Sequence, residues 1–357
     1  MKKMLSILIT LNLMTLTCLQ ANAQGCVAIK GTSGTCSRPA DSKGWEMNLT
    51  NRYFRSYKHF VGTEEQKQRV EEGSNVINHS YELDVSAIRT LNSRWSLAII
   101  VPFLAYGRSS LYEHDGKTRN STHSFGIGDV RLSAYRWMLD PQTSHKGNVQ
   151  LGLGIKLPTG NYNYQDFFYK KIDSVVLGAV DQSIELGDGG TGLTFELNTF
   201  YNFSHKLGVY GNFFYLSNPR EVNGTSTTRG GISSVTAKKY NTDVMSVPDL
   251  FMARAGLAYM MNNVTFSGGI RIEGLPSKDI MGGSRGFRRP GYVVSAEPTV
   301  TWVAKKASFN IAVPVAIKRD RTQSDSDKRQ TTDSGIYKQG DAAFADYSIN
   351  AGLTIRL

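Results

Sequence analysis

Phe125-Gly126-Ile127-Gly128-Asp129-Val130-Arg131-Leu132-Ser133-Ala134-Tyr135-Arg136-Trp137 reads as one strand and Val149-Gln150-Leu151-Gly152-Leu153-Gly154-Ile155-Lys156-Leu157 as the next. Asp140-Pro141 and Lys146-Gly147 mark the turn between them, and Pro158-Thr159-Gly160 closes the unit. Successive side chains of a strand point to opposite faces. Val149, Leu151, Leu153, Ile155 and Leu157 therefore share one face, and Gln150, Gly152, Gly154 and Lys156 share the other. Val130, Leu132 and Ala134 oppose Asp129, Arg131 and Ser133 in the same way. One apolar and one polar face would suit a water-soluble sandwich or a membrane barrel, and the rest of the chain decides between them.

The alternation recurs in Trp45-Met47-Leu49, Tyr81-Leu83-Val85-Ala87, Trp95 to Phe103, Leu193 to Phe203, the aromatic-rich run Leu207 to Leu216, Phe251 to Tyr259, Ile270-Ile272, Val294 to Trp302, Phe309 to Ile317 and Tyr347 to Leu357. Short turns lie near Asn92, Asp140 to Gly147, Ser204 to Lys206, Asn262-Asn263 and Lys305-Lys306. Between them come long polar stretches: Lys58 to Asn75, Arg108 to Ser124, Pro158 to Gly190, Asn218 to Val247, Leu275 to Gly291 and Arg319 to Ala343. Outer-membrane barrels place short turns in the periplasm and long loops outside, a pattern a soluble sandwich has no reason to follow. The expected fold is all-β, a transmembrane antiparallel β-barrel of about twelve strands over 44–357, with both termini periplasmic.

Residues 1–23 read as a secretory signal peptide, with Lys2-Lys3, a short apolar run from Met4 to Leu19 and the small-residue site Ala21-Asn22-Ala23. The expected location is the outer membrane of a Gram-negative cell, reached with barrel-assembly machinery and surrounded by outer-membrane lipid. Residues 24–43 read as a periplasmic N-terminal arm in which Cys26 and Cys36 form a disulfide, as the oxidising periplasm favours. No histidine lies near them, so no metal site is expected, and no cofactor. Hydrophobic residues make up 40% and the mean hydropathy is -0.30, too polar for a helical membrane protein but normal for a barrel. The net charge of +11 points, in an exported chain, to anionic lipid or acidic solutes and not to nucleic acid. The chain ends on Leu357, where barrels commonly end on an aromatic residue.

Gly126-Ile127-Gly128-Asp129, followed after a strand and turn by Lys156-Leu157-Pro158-Thr159-Gly160-Asn161, resembles the signature of the outer-membrane barrel family named after the MetA pathway of phenol degradation. Members of that family are described as transporters. The resemblance implies an outer-membrane barrel that passes aromatic or other hydrophobic compounds, and it supplies no catalytic residue.

An Arg or Lys on the lipid face costs about 2–4 kcal/mol at the bilayer midplane, so strand charges should point into the lumen. The lumen-lining candidates are Glu46, Arg52, Glu82, Asp84, Asp129, Arg131, Lys156, Glu196, Arg254, Arg271, Glu273 and Glu297. Two readings are open: ion pairs that fill a narrow barrel, or a polar pathway that tunes which solutes pass. Asp129 is expected to pair with an arginine such as Arg131 or Arg271. The hairpin glycines serve either curvature or lumen space. Aromatics at strand ends, Tyr106 among them, read as interfacial girdles. Tyr162, Tyr164, Phe167, Phe168 and Tyr169, in a long loop, are candidates for contact with an apolar solute, loop-to-loop packing being the other reading.

The expected function is an outer-membrane channel for small hydrophobic or aromatic solutes. A structural or adhesive barrel is the alternative, and a lipid-hydrolase barrel the remotest. The histidines lie mostly in loops or turns, and His79-Ser80 would face opposite ways on a strand.

Overall fold

The structure, a computed structural model, describes residues 44–171 and 174–357. The signal segment and the arm with Cys26 and Cys36 lie outside the described residues. The chain forms a closed antiparallel barrel of 12 strands. In chain order these are β1 (Trp45–Val61), β2 (Ile77–Thr90), β3 (Trp95–Ser110), β4 (Asn120–Ile127, resuming as Arg131–Trp137), β5 (Gly147–Lys156) and β6 (Gly192–Asn202). They are followed by β7 (Leu207–Ser217), β8 (Leu250–Met261), β9 (Val264–Leu275), β10 (Gly291–Val303), β11 (Ala307–Ala312, resuming as Val315–Asp320) and β12 (Ala342–Arg356).

Each strand pairs with its neighbour in sequence, and β12 closes on β1 with Glu46 opposite Arg356 and Leu49 opposite Leu353. Closure leaves no sheet edge, so ladder N–H and C=O groups are satisfied within the wall, as a bilayer requires. The two faces follow the alternation. On β3, Leu97, Ile99 and Phe103 are exposed, whereas Ala98, Ile100 and Leu104 are buried in the lumen.

Several expectations change. The first strand of the central hairpin starts at Asn120, not Phe125, and breaks at Gly128-Asp129-Val130. A second break falls at Val313-Pro314 in β11, where proline has no N–H for the ladder. Tyr106 is not a girdle residue: it faces the lumen and its hydroxyl donates to Glu82 at 2.6 Å. His79 and Ser80 do face opposite ways, His79 against the exposed Tyr53 hydroxyl and Ser80 buried.

The long connections gather at one end. Among them are the hairpin Gln165–Lys171 with Ser174–Ala179 and the helix Asp325–Ser334, capped by Ser324 in a capping box with Asp327. A cysteine at Lys117 or Ser334 should therefore react with a membrane-impermeant maleimide on intact cells, and one at Lys305 should not. Labelling at Lys305 alone would invert the topology.

Candidate functional site in the lumen

The break in β4 is held by the turn that follows β5. Thr159 Oγ1 donates to the Gly128 carbonyl at 2.8 Å and accepts from the Val130 N–H at 2.9 Å. Gly160 N–H donates to Asp129 Oδ1 at 2.9 Å. The two motifs singled out in the sequence thus touch each other, with Thr159 standing where a ladder partner would be. Thr159 is exposed, so water can replace part of its two bonds, and Thr159→Val should cost about 1 kcal/mol of unfolding stability in micelles. Thr159→Ser should restore most of it; equal stability of all three proteins would contradict this role.

From this turn the loop between β5 and β6 folds inward. Gln182–Ile184 forms a short 3-10 turn capped by Asp181, whose carboxylate accepts from the Ser183 N–H at 3.0 Å. Ser124 Oγ donates to the Ile184 carbonyl, and Leu186 is buried in the lumen. A side chain at Gly160 would collide with the Leu186 backbone, which explains a glycine at that close approach. The inner end of the loop is tied by an ion pair between Asp188 and Lys156, and Lys156 also meets Asp129 at 3.3 Å. Asp129 therefore pairs with a lysine, not with Arg131 or Arg271.

The outer end is tied by a cluster of buried charges. Asp181 meets Arg108 at 3.4 Å, Arg229 at 2.9 Å, and Arg289. Glu113 meets Arg108 at 2.9 Å and Arg229 at 2.6 Å. Burial disfavours the charged carboxylate of Asp181, but Arg108 and Arg289 outweigh it and hold the carboxyl well below its usual range. Burial likewise opposes ionisation of Glu113, and Arg108, helped by Arg229, outweighs it and lowers that carboxyl. None of this cluster was singled out by the sequence reading, because its members lie on separate loops and strand tips.

Most of the strand acids and arginines are buried and paired. Arg52 reaches across from β1 to Glu273 on β9 at 2.9 Å. Arg271 joins Glu273 at 2.9 Å to Glu297 at 3.1 Å, and Arg254 meets Glu297 at 2.9 Å. The chain continues through Asn212 and Asn198 to Gln150. Arg131 meets Asp84 at 3.3 Å, Glu196 accepts from the Tyr135 hydroxyl at 3.0 Å, and Glu46 sits at 3.6 Å from Arg356 near the strand ends. Gly152 opens no lumen space: its missing Cβ is replaced by the Tyr135 ring, 2.6 Å from where that atom would lie.

Between this belt and the inward loop lies a cavity of about 150 Å³. Leu104, Phe214, Leu216, Leu250 and Leu275 from the wall and Leu186 from the loop make its apolar side. Tyr106, Arg131, Lys156 and Glu185 are on the polar side, and the Arg131 guanidinium lies over the Phe214 ring at 5.6 Å. The aromatic loop residues do not line this cavity. Phe168 is buried against His114, Phe167 and Tyr169 are exposed on the outer hairpin, Tyr162 stacks under Arg220 at 5.7 Å, and Tyr164 accepts the Val180 N–H through its carbonyl.

No family model and no curated protein matches the chain. Among solved structures, an outer-membrane channel from Pseudomonas putida F1 is similar over 92% of this chain and 100% of its own, with a TM-score of 0.60 and 11% identity. The two share a fold. The Pseudomonas putida toluene transporter TodX aligns over 94% of this chain and 96% of its own at a TM-score of 0.44 and 9% identity. The β domain of the Bordetella autotransporter BrkA aligns over 88% of this chain and 100% of its own at 0.44 and 11%. The chain is thus a barrel of the outer-membrane type, and what the other proteins carry is a separate matter from its fold.

Proposed function

We propose that this barrel passes small, mainly apolar solutes, monoaromatic compounds among them, across the outer membrane of a Gram-negative cell. The lumen cavity with one apolar side carries the reading. A lumen devoted only to ion pairing has no use for Leu104, Phe214, Leu216, Leu250 and Leu275 facing inward. A cavity of about 150 Å³ matches in size the apolar cavity that takes up benzene in an unrelated engineered protein. The charges of the belt are paired with one another and so hold a solute only weakly, which is what conduction needs. The resemblance at Gly126 to Asp129 and Lys156 to Asn161 agrees with the solute class.

The same proposal includes removal of residues 1–23, a Cys26–Cys36 disulfide in the arm and insertion by the assembly machinery. Phe167 and Tyr169, exposed on the outer hairpin, are the members of the aromatic loop placed to meet a solute first. The proposed role is that of a channel, with no enzymatic step.

The test is a crystal soaked in bromobenzene. An anomalous bromine peak between Leu104, Phe214 and Leu275 is expected. Bromine found only on the outer, lipid-facing side chains would remove the channel reading and favour a structural or adhesive barrel.

A further inference from the structure

The acids around the cavity are unequal. Lys156 pairs with Asp129 and Asp188, Arg131 with Asp84, and Glu82 accepts from Tyr106. Asp181, at the outer end of the same inward loop, is held by arginines. Glu185 also lines the cavity, yet it makes no ion pair among the described residues, and its Oε1 is buried without a hydrogen-bond partner. Burial pushes its carboxyl well above the usual range, and the charges of Asp188 and Asp181 add to this, outweighing the opposing effects of Asn223 and Arg289. These effects favour the neutral form, and Oε1 is an unmet acceptor on the polar side of a cavity whose other side is apolar.

We propose that Glu185 is a specificity-determining residue of the lumen: the cavity favours an apolar solute carrying a neutral hydroxyl over the hydrocarbon of the same shape and over the corresponding carboxylate. The inference rests on the channel reading and goes further by naming which solute is chosen. A hydroxyl entering beside Leu104 and Phe214 can donate to Glu185 Oε1 while its ring occupies the apolar side. A hydrocarbon leaves that acceptor unmet, which a site built around a buried polar group rejects. A carboxylate meets Lys156 and Arg131 only after their partners are displaced, with Asp129 and Asp188 still close by. An ammonium would be favoured only by an ionised Glu185.

Initial uptake of labelled benzyl alcohol, toluene, benzoate and benzylamine is to be measured in intact cells making equal surface amounts of the wild-type, Glu185→Gln or Glu185→Leu protein, and in cells without the gene. Protein-dependent uptake of benzyl alcohol should exceed that of toluene and of benzoate by about tenfold. Glu185→Gln, still a neutral donor and acceptor, should keep this order, and Glu185→Leu should bring the alcohol to or below toluene. Toluene entering through the protein as fast as the alcohol, or benzylamine entering fastest, would overturn the inference and leave the channel reading standing. No protein-dependent uptake of any of the four would overturn both. The order of the wild-type rates is a test that needs neither variant to fold.

Discussion

Arg271→Met is expected to destabilise the refolded barrel by about 3–5 kcal/mol, the usual cost of removing one partner from a buried ion pair. Arg271 lies between Glu273 at 2.9 Å and Glu297 at 3.1 Å, on the lumen side of adjacent strands. Without it Glu273 keeps Arg52 and Glu297 keeps Arg254, but the two carboxylates face each other with nothing between them. Arg271→Lys should recover only part of the loss, since an ammonium lacks the planar fork that reaches both acids. Combining Arg271→Met with Glu297→Gln should give no rescue, because Arg254 then loses the carboxylate it meets at 2.9 Å. Urea unfolding in micelles, followed through Trp45, Trp95, Trp137 and Trp302, measures all of these. A loss below about 1 kcal/mol for Arg271→Met would equate the pair with an exposed surface bridge and contradict the buried belt.

Asp181→Asn should loosen the inward loop while leaving the barrel folded. The change leaves Arg108, Arg229 and Arg289 sharing one buried carboxylate, Glu113, which touches only the first two. Trypsin cleavage after Lys170, within that loop, should rise on the order of a hundredfold, the equivalent of about 3 kcal/mol of local stability. The pH dependence follows from the same contacts. Asp181 and Glu113 have folded pKa values below their unfolded ones, so their stabilisation is fully present above the ordinary carboxylate range. It is lost only as pH falls through the lower, folded values. The loop should therefore resist pepsin at about pH 4 and become more susceptible as the pH is lowered further. Cleavage already complete at pH 4 would mean that the cluster does not hold the loop.

Much of the wall was readable from the alternation, because one face must be apolar in lipid and charges must turn away from it. Strand number, the alternation of long and short connections and the inward parity of Arg52, Glu273 and Glu297 all came from that single constraint. The cavity was hidden for the opposite reason. In Phe213-Phe214-Tyr215-Leu216 both faces are apolar, so the inward Phe214 and Leu216 carry no signal against their outward neighbours. Ile100 and Leu104 are masked in the same way within Leu97 to Leu104. The break in β4 had a trace, the run of Gly126, Gly128 and Asp129, but its partner Thr159 could be recognised only once the turn had folded back onto it. Glu185 and the Asp181 cluster depend on a loop entering the lumen, and no local pattern encodes where a long loop comes to rest.

The most direct test of the central claim, that the cavity between belt and loop is the solute's route, is the initial uptake of labelled toluene by intact cells making wild-type protein or Leu216→Trp. The tryptophan would fill the cavity, which Phe214, Leu186 and the Lys156–Asp188 pair also line. With equal amounts of folded barrel at the surface, the wild type should raise uptake above that of cells without the gene, and Leu216→Trp should return it to that baseline. Wild-type and Leu216→Trp cells taking up toluene equally fast, whether both raised or both at baseline, would contradict it.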